Sequence, residues 1–88
     1  MESRFRGIFL KDISKIKDKK VQESIKEVIK NIEDADSIKE IKNLKKMKNC
    51  QDAFRIRIND YRIGIFIEGN VVEFNRILHR KEVYRYFP

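Results

Sequence analysis

The sequence predicts an α+β fold: two N-terminal helices packed on one face of a small, mainly antiparallel, twisted sheet, with a short C-terminal helical turn. Three observations lead there. Apolar residues recur at helical spacing in the first third of the chain, the period switches to two from Phe54 onward, and two short polar breaks divide that second region into strands.

Near the start, "RFRGIF" alternates weakly and reads as a short first strand, after which Phe9, Ile13 and Ile16 recur at helical spacing. From Asp18, an expected N-cap, the residues Val21, Ile25, Val28, Ile29 and Ile32 form a cleaner stripe with Lys and Glu opposite, predicting a second helix that ends near Glu33. "DADS" breaks the pattern, and Ser37 with Glu40 has the spacing of a capping box over a turn or two of helix. Leu44 and Met47 suit a short edge strand or a helix end equally, and Asn49 is expected to turn the chain. Phe54, Ile56 and Ile58 then share one face, Asn59-Asp60 interrupts, Tyr61, Ile63, Ile65 and Ile67 resume, and Gly69-Asn70 interrupts again before "VVEFNRILH". These three strands form a meander. In the tail, Val83 and Phe87 fall on the inner side of a last helical turn stopped at Pro88. The helices are expected to cover one face of the sheet and leave the other open.

Eighty-eight residues, 41% of them hydrophobic, fit a single domain over residues 1–88. Lys plus Arg exceed Asp plus Glu by 21 to 14, a formal charge of +7 that favours a polyanionic partner over a merely solvated basic surface. With Cys50 as the single cysteine and His79 as the single histidine, neither an internal disulfide nor a Cys/His metal site can be assembled, and no cofactor is expected. No apolar run approaches the roughly 18 residues of a membrane span, and the start has too short an apolar patch for a signal peptide. A cytoplasmic, reducing location is the expectation, with no membrane partner.

The chemistry concentrates in "AFRIRINDYRIGIF". A two-residue loop at Asn59-Asp60 would set Ile58 opposite Tyr61, Arg57 opposite Arg62, Ile56 opposite Ile63 and Arg55 opposite Gly64, with the arginines on the face away from the isoleucines. Like charges directly across a strand pair cost roughly 0.2–1 kcal/mol, a cost that makes sense where an anion sits between them. The choice of cation points the same way. From Lys11 to Lys48 every basic side chain is lysine, whereas from Ala53 on Arg55, Arg57, Arg62, Arg76, Arg80 and Arg85 stand against Lys81 alone. Arginine's planar fork matches phosphate oxygens, although its long stem also covers a sheet surface well. Gly64 marks a close approach of other atoms, a bulge or a bend.

Arg80 leaves the last strand and Tyr84 lies four residues on, so a helical turn would put both on one face at the end of the arginine-bearing sheet. Tyr84 could stack on a base, bond a ribose hydroxyl, or simply pack on the sheet edge. His79 reads more readily as a structural donor than as a catalyst, Cys50 as inert, and the carboxylates Asp60, Glu68, Glu73 and Glu82 as too scattered for paired acid and base work.

The order of parts, with "AFRIRINDYRIGIF", then "VVEFNRILHRKEVY" and an aromatic tail, resembles the RelE/ParE superfamily of small bacterial and archaeal toxins, and within it the RelE-like branch. The resemblance covers nearly the whole chain. It implies the toxin of a type II toxin-antitoxin system: a ribosome-dependent endoribonuclease that cuts messenger RNA in the decoding A site, inhibits translation, and is silenced by an adjacently encoded RelB-like antitoxin. It implies catalytic positions at Arg57, Arg62, Arg80 and Tyr84, with Arg55, Arg76, His79 and Lys81 as further RNA contacts. The best-known member of the branch has lysines where Arg55 and Arg57 stand, and arginine, with a pKa above about 12, is poorly suited to accept a proton. Charge stabilisation rather than base catalysis is therefore the expected contribution of these residues. Leu44 and Met47 are a candidate antitoxin contact or simply core. The alternatives are a ParE-like inhibitor of DNA gyrase, which shares the fold but binds a protein, and an inactive member that binds RNA or ribosomes without cutting.

Overall fold

The computed structural model describes residues 1–48 and 50–88; the turn expected at Asn49 lies outside the described residues. The elements run β1 (Glu2–Phe5), α1 (Gly7–Ser14), α2 (Lys19–Asp34), a single 3-10 turn (Ile38–Glu40), β2 (Leu44–Lys46), β3 (Ala53–Ile58), β4 (Tyr61–Glu68), β5 (Val71–His79) and α3 (Val83–Tyr86). The five strands form one sheet in the order β1-β5-β4-β3-β2. All neighbours are antiparallel except β1, which lies parallel to β5. The expected α+β architecture holds.

Helix α2 begins where its cap predicts, with the Asp18 carboxylate accepting from the Lys20 and Val21 N–H groups at 2.8 and 3.4 Å. Its inner stripe of Val21, Ile25 and Ile32 meets Phe9 of α1 and the sheet residues Ile56, Ile58, Ile63, Ile65, Val72, Phe74 and Ile77 in the main core. Several expectations need correcting. The first strand stops at Phe5, so Phe9 belongs to a helix that starts at Gly7. The capping box does not form, because the Glu40 carboxylate accepts from the Asp36 N–H and Ser37 makes no side-chain cap. Leu44 lies in an edge strand and packs on the main core, while Met47 is buried beneath the tail, so both are core residues and not a free docking edge.

The hairpin register is the one the two-residue loop dictates, with Arg57 opposite Arg62 and Arg55 opposite Gly64. Asn59 takes φ of 50°, the left-handed geometry that asparagine tolerates in a tight turn. Between β4 and β5 the register shifts at Gly64/Ile65, leaving Asn75 as the extra residue of a bulge.

The face away from the helices is not fully open. There Val83 and Phe87 bury themselves with Met47 and Ala53, flanked by Cys50, Phe66 and Leu78, in a second small core. Gly64 makes this possible. A Cβ built at that position would lie 2.5, 2.6 and 2.8 Å from three ring atoms of Phe87, so the ring occupies the space a side chain would need. Glycine at position 64 therefore serves both the bulge and the seat of the tail.

Candidate active site

The uncovered remainder of that face carries the basic residues. On β3 and β4, Arg57 and Arg62 stand directly opposite each other, and Lys45 of β2 stands opposite Arg55. Arg62 reaches back over the turn, donating from Nη1 to the carbonyls of Asn59 and Tyr61 at 3.0 and 2.9 Å. This anchors its guanidinium at the hairpin end. The backbone N–H of Arg80 donates to the Asp60 carbonyl at 2.7 Å, pinning the end of β5 to the same turn. The Arg80 Nε lies 4.0 Å from the Asp60 carboxylate, a long and exposed pairing that leaves most of the guanidinium available.

Electrostatics confirm that these groups are near one another. Burial is the first cause that lowers the Arg62 pKa below its ordinary value, and the charges of Arg55, Arg57 and Arg80 lower it further, against a smaller opposing effect of Asp60. Among the described residues, Arg55, Arg57 and Arg62 form no ion pair with a carboxylate. The cluster is thus a concentration of positive charge with little internal compensation, the arrangement an anion would relieve.

Three clefts share residues and make one continuous groove across this surface. The first, of about 540 Å³, lies between α2 and the hairpin and includes Lys42, Asn43, Arg57, Arg62 and Arg80. The second carries Asn43, Lys45, Arg55, Arg57 and Arg62, and the third runs on through Lys45, Lys46, Lys48 and Arg55 to Tyr84. Lys42, Lys45, Lys46 and Lys48 were missed by sequence reasoning. Their signal was available, since β2 is the strand that borders β3 and its alternation can place Lys45 on the arginine face.

Tyr84 is 63% exposed and sits with Arg55, whose Nη1 donates to its hydroxyl and whose Cζ lies 5.1 Å from the ring centroid. It does not share a helical face with Arg80. The chain leaves β5 at His79 and turns before α3 begins at Val83, so no helical spacing runs from position 80 to 84. Arg80 borders one end of the groove and Tyr84 the other. Val83 and Phe87, buried on either side of Tyr84 in sequence, fix the turn that presents it.

The remaining expected contacts are placed elsewhere. Arg76 makes a two-pronged bond to Asp12 of α1, Nε to Oδ2 at 2.8 Å and Nη2 to Oδ1 at 3.1 Å, with side chains 18% and 7% exposed. The hydrogen bonds to Asp12 raise the Arg76 pKa against the opposing effect of burial. Asp12 also accepts from the Ile77 N–H at 3.1 Å, closing the part of the β5 edge that β1, paired only with Val71 to Phe74, does not reach. Arg76 is therefore engaged internally. His79, opposite Tyr61, lies on the helix-covered face with its ring edge-on to that tyrosine and its Nδ1 accepting from the Lys81 N–H at 3.2 Å. Lys81 itself is exposed in the following turn and borders none of the three clefts. Among the described residues there is no cluster of His, Cys, Asp or Glu suited to a metal ion, and no helix is long and apolar enough to cross a membrane.

Comparison with known proteins decides the family. Residues 4–84 match the family described as the ParE toxin of the type II toxin-antitoxin system parDE. The chain is 36% identical over 89 residues to Toxin RelE3 of Methanocaldococcus jannaschii, with the whole of both chains covered. This chain belongs to the RelE/ParE superfamily of type II toxins. The toxin fold is also that of the RelB-RelE antitoxin-toxin complex from Methanococcus jannaschii, at TM-score 0.81 and 35% identity over 97% of this chain and 99% of that one. The RelBE2 toxin-antitoxin complex from Mycobacterium tuberculosis, at TM-score 0.60 and 20% identity over 90% and 96% of the two chains, shares the fold. The RelE-family toxin described here accordingly carries its arginine groove on a sheet common to those relatives.

Proposed function

We propose that this RelE-family toxin is an endoribonuclease that cuts messenger RNA presented in the ribosomal A site, and that a RelB-like antitoxin silences it. One observation carries the proposal. Arg55, Arg57, Arg62 and Arg80 crowd one groove, largely uncompensated, with an exposed tyrosine at its end. Folding alone gives no reason to keep such a cluster, whereas a phosphodiester passing through two linked states of higher negative charge does. The full-length likeness to a toxin named RelE3, and to a toxin solved with RelB, supports the nuclease and the antitoxin.

In this reading a ribose 2′-oxygen attacks its own 3′-phosphorus as the bond from phosphorus to the 5′-oxygen breaks, leaving a cyclic phosphate and a 5′-hydroxyl. Arg57 and Arg62 hold the nonbridging oxygens, a preorganised contribution worth several kcal/mol in a water-poor site. Arg80 donates to the departing oxygen. Tyr84, its hydroxyl engaged by Arg55, stacks on the base of the attacking nucleotide, and Arg55 with Lys45 grips the backbone beyond. The 2′-proton passes to solvent or to a ribosomal group, because no side chain in the groove combines the position and basicity of a general base. That shortfall accounts for a dependence on the ribosome, which would bend the strand into the reactive geometry.

The match to a family described as ParE gives a specific second reading, a poison of DNA gyrase. A translating extract separates the two: truncated message with Arg57- and Arg62-dependent ends supports the nuclease, and intact message alongside gyrase-dependent DNA breaks supports the rival.

A further inference from the structure

The groove changes character where it meets α2. Along the sheet its charged walls are lysine and arginine, but in the cleft beside α2 the residues Ser24, Glu27, Val28 and Asn31, one helical stripe at i, i+3, i+4 and i+7, form the wall facing Arg57, Arg62 and Arg80. Glu27 is the one acidic residue there. It is exposed, and among the described residues its carboxylate takes part in no ion pair or side-chain hydrogen bond. Asn31, by contrast, is occupied: its amide donates to the Glu40 carbonyl and accepts from the Lys42 N–H, fixing the loop that floors the cleft. A free carboxylate would repel a phosphate at this place. It suits the part of a nucleotide that offers donors, the edge of a base.

We propose that Glu27 is a specificity-determining residue, whose carboxylate accepts from the adjacent N1–H and N2–H of a guanine seated in the cleft beside α2. The proposal rests on the nuclease reading for where the strand lies. If Tyr84 holds the attacking nucleotide and Arg80 the leaving oxygen, the nucleotide in the α2 cleft is the one on the leaving side of the cut, with Val28 and Ile58 supplying apolar contact to its ring. Among the four bases, guanine alone presents two neighbouring donors on its Watson–Crick edge, so a carboxylate that accepts two parallel hydrogen bonds selects it. Adenine and cytosine each set one donor beside an acceptor, and uracil sets one donor between two acceptors. A good two-bond pairing discriminates by roughly tenfold or more.

Two measurements test this on the whole chain, comparing wild type with Glu27→Gln, an exposed helix position at which both residues are good helix formers. In a translating extract, mapped cut sites of the wild type should be enriched about tenfold for guanine on the leaving side, and the variant should lose that enrichment and gain adenine, whose donor and acceptor an amide matches. In direct titration without ribosomes, guanosine 5′-monophosphate should bind wild type about tenfold more tightly than adenosine 5′-monophosphate, and Glu27→Gln should erase the difference. Cutting with an unchanged base distribution in the variant overturns the role of Glu27 and leaves the nuclease reading intact. A guanine preference in titration with no cutting of message supports Glu27 and overturns the nuclease reading. Equal binding of the two nucleotides by wild type overturns the proposal.

Discussion

The contact between Gly64 and Phe87 yields a quantitative prediction that links packing to the site. In Gly64→Ala the new methyl would lie 2.5–2.8 Å from three atoms of the Phe87 ring, about an ångström inside ordinary carbon–carbon contact. The ring must retreat. Overpacking of this kind costs roughly 1–3 kcal/mol, while replacing a strand glycine returns roughly 0.5–1 kcal/mol, for a net loss of about 0.5–2 kcal/mol. For a domain of this size that lowers Tm by roughly 4–16 °C. Phe87→Ala alone should cost about 3 kcal/mol, since the ring is only 2% exposed. With the ring gone, however, the methyl at position 64 meets nothing. The double variant should then be at least as stable as Phe87→Ala, with a coupling energy of about 1–3 kcal/mol from urea unfolding. Because the same ring anchors the turn that presents Tyr84, Gly64→Ala should also lose RNA cleavage beyond its unfolded fraction at the assay temperature. Additive stability losses in the cycle would refute the argument that Phe87 is seated on Gly64.

Three further outcomes follow from the geometry. Asp12→Ala leaves the Arg76 guanidinium without its partner and the Ile77 N–H without an acceptor; it should cost about 3 kcal/mol in urea unfolding, less than a deeply buried pair because Arg76 can reach solvent, and Asp12→Leu with Arg76→Met should recover most of that loss. Tyr84→Phe, which keeps the ring, should retain most cleavage, while Tyr84→Ala should lose roughly tenfold or more, the scale of one base–aromatic stack; equal losses in both would assign the work to the hydroxyl. Arg57→Gln should weaken binding of a short single-stranded RNA and reduce the slope of log affinity against log salt by about 0.7, measured by fluorescence anisotropy, whereas an unchanged slope would remove Arg57 from the phosphate contacts.

Much of this site was legible in sequence because it is local. The Asn59-Asp60 loop is short enough to fix the pairing of Arg57 with Arg62, and strict alternation then fixes the face on which they stand. Helix α2 was equally readable, since Asp18 and the apolar stripe lie within one segment. The non-local features were less accessible. The bond between Asp12 and Arg76 joins residues 64 positions apart, and nothing in the spacing around Arg76 distinguishes it from Arg80. An acidic residue three positions after Phe9, on the inner face of α1, was the one hint. The pairing of Tyr84 with Arg55 depends on a turn that interrupts the helical spacing after β5, and the seating of Phe87 on Gly64 depends on a bulge in another strand. Parallel pairing of β1 with β5 likewise requires a crossover that a strand count cannot reveal.

The account is tested most directly by primer extension on one defined message in a translating extract, given purified toxin as wild type or as Arg57→Ala/Arg62→Ala. Wild type should produce discrete truncations only while ribosomes translate, and the double variant, folded and still bound by the antitoxin, should produce none. Intact message with wild type, or undiminished truncation by the variant, would contradict the claim that the arginine groove is where RNA is cut.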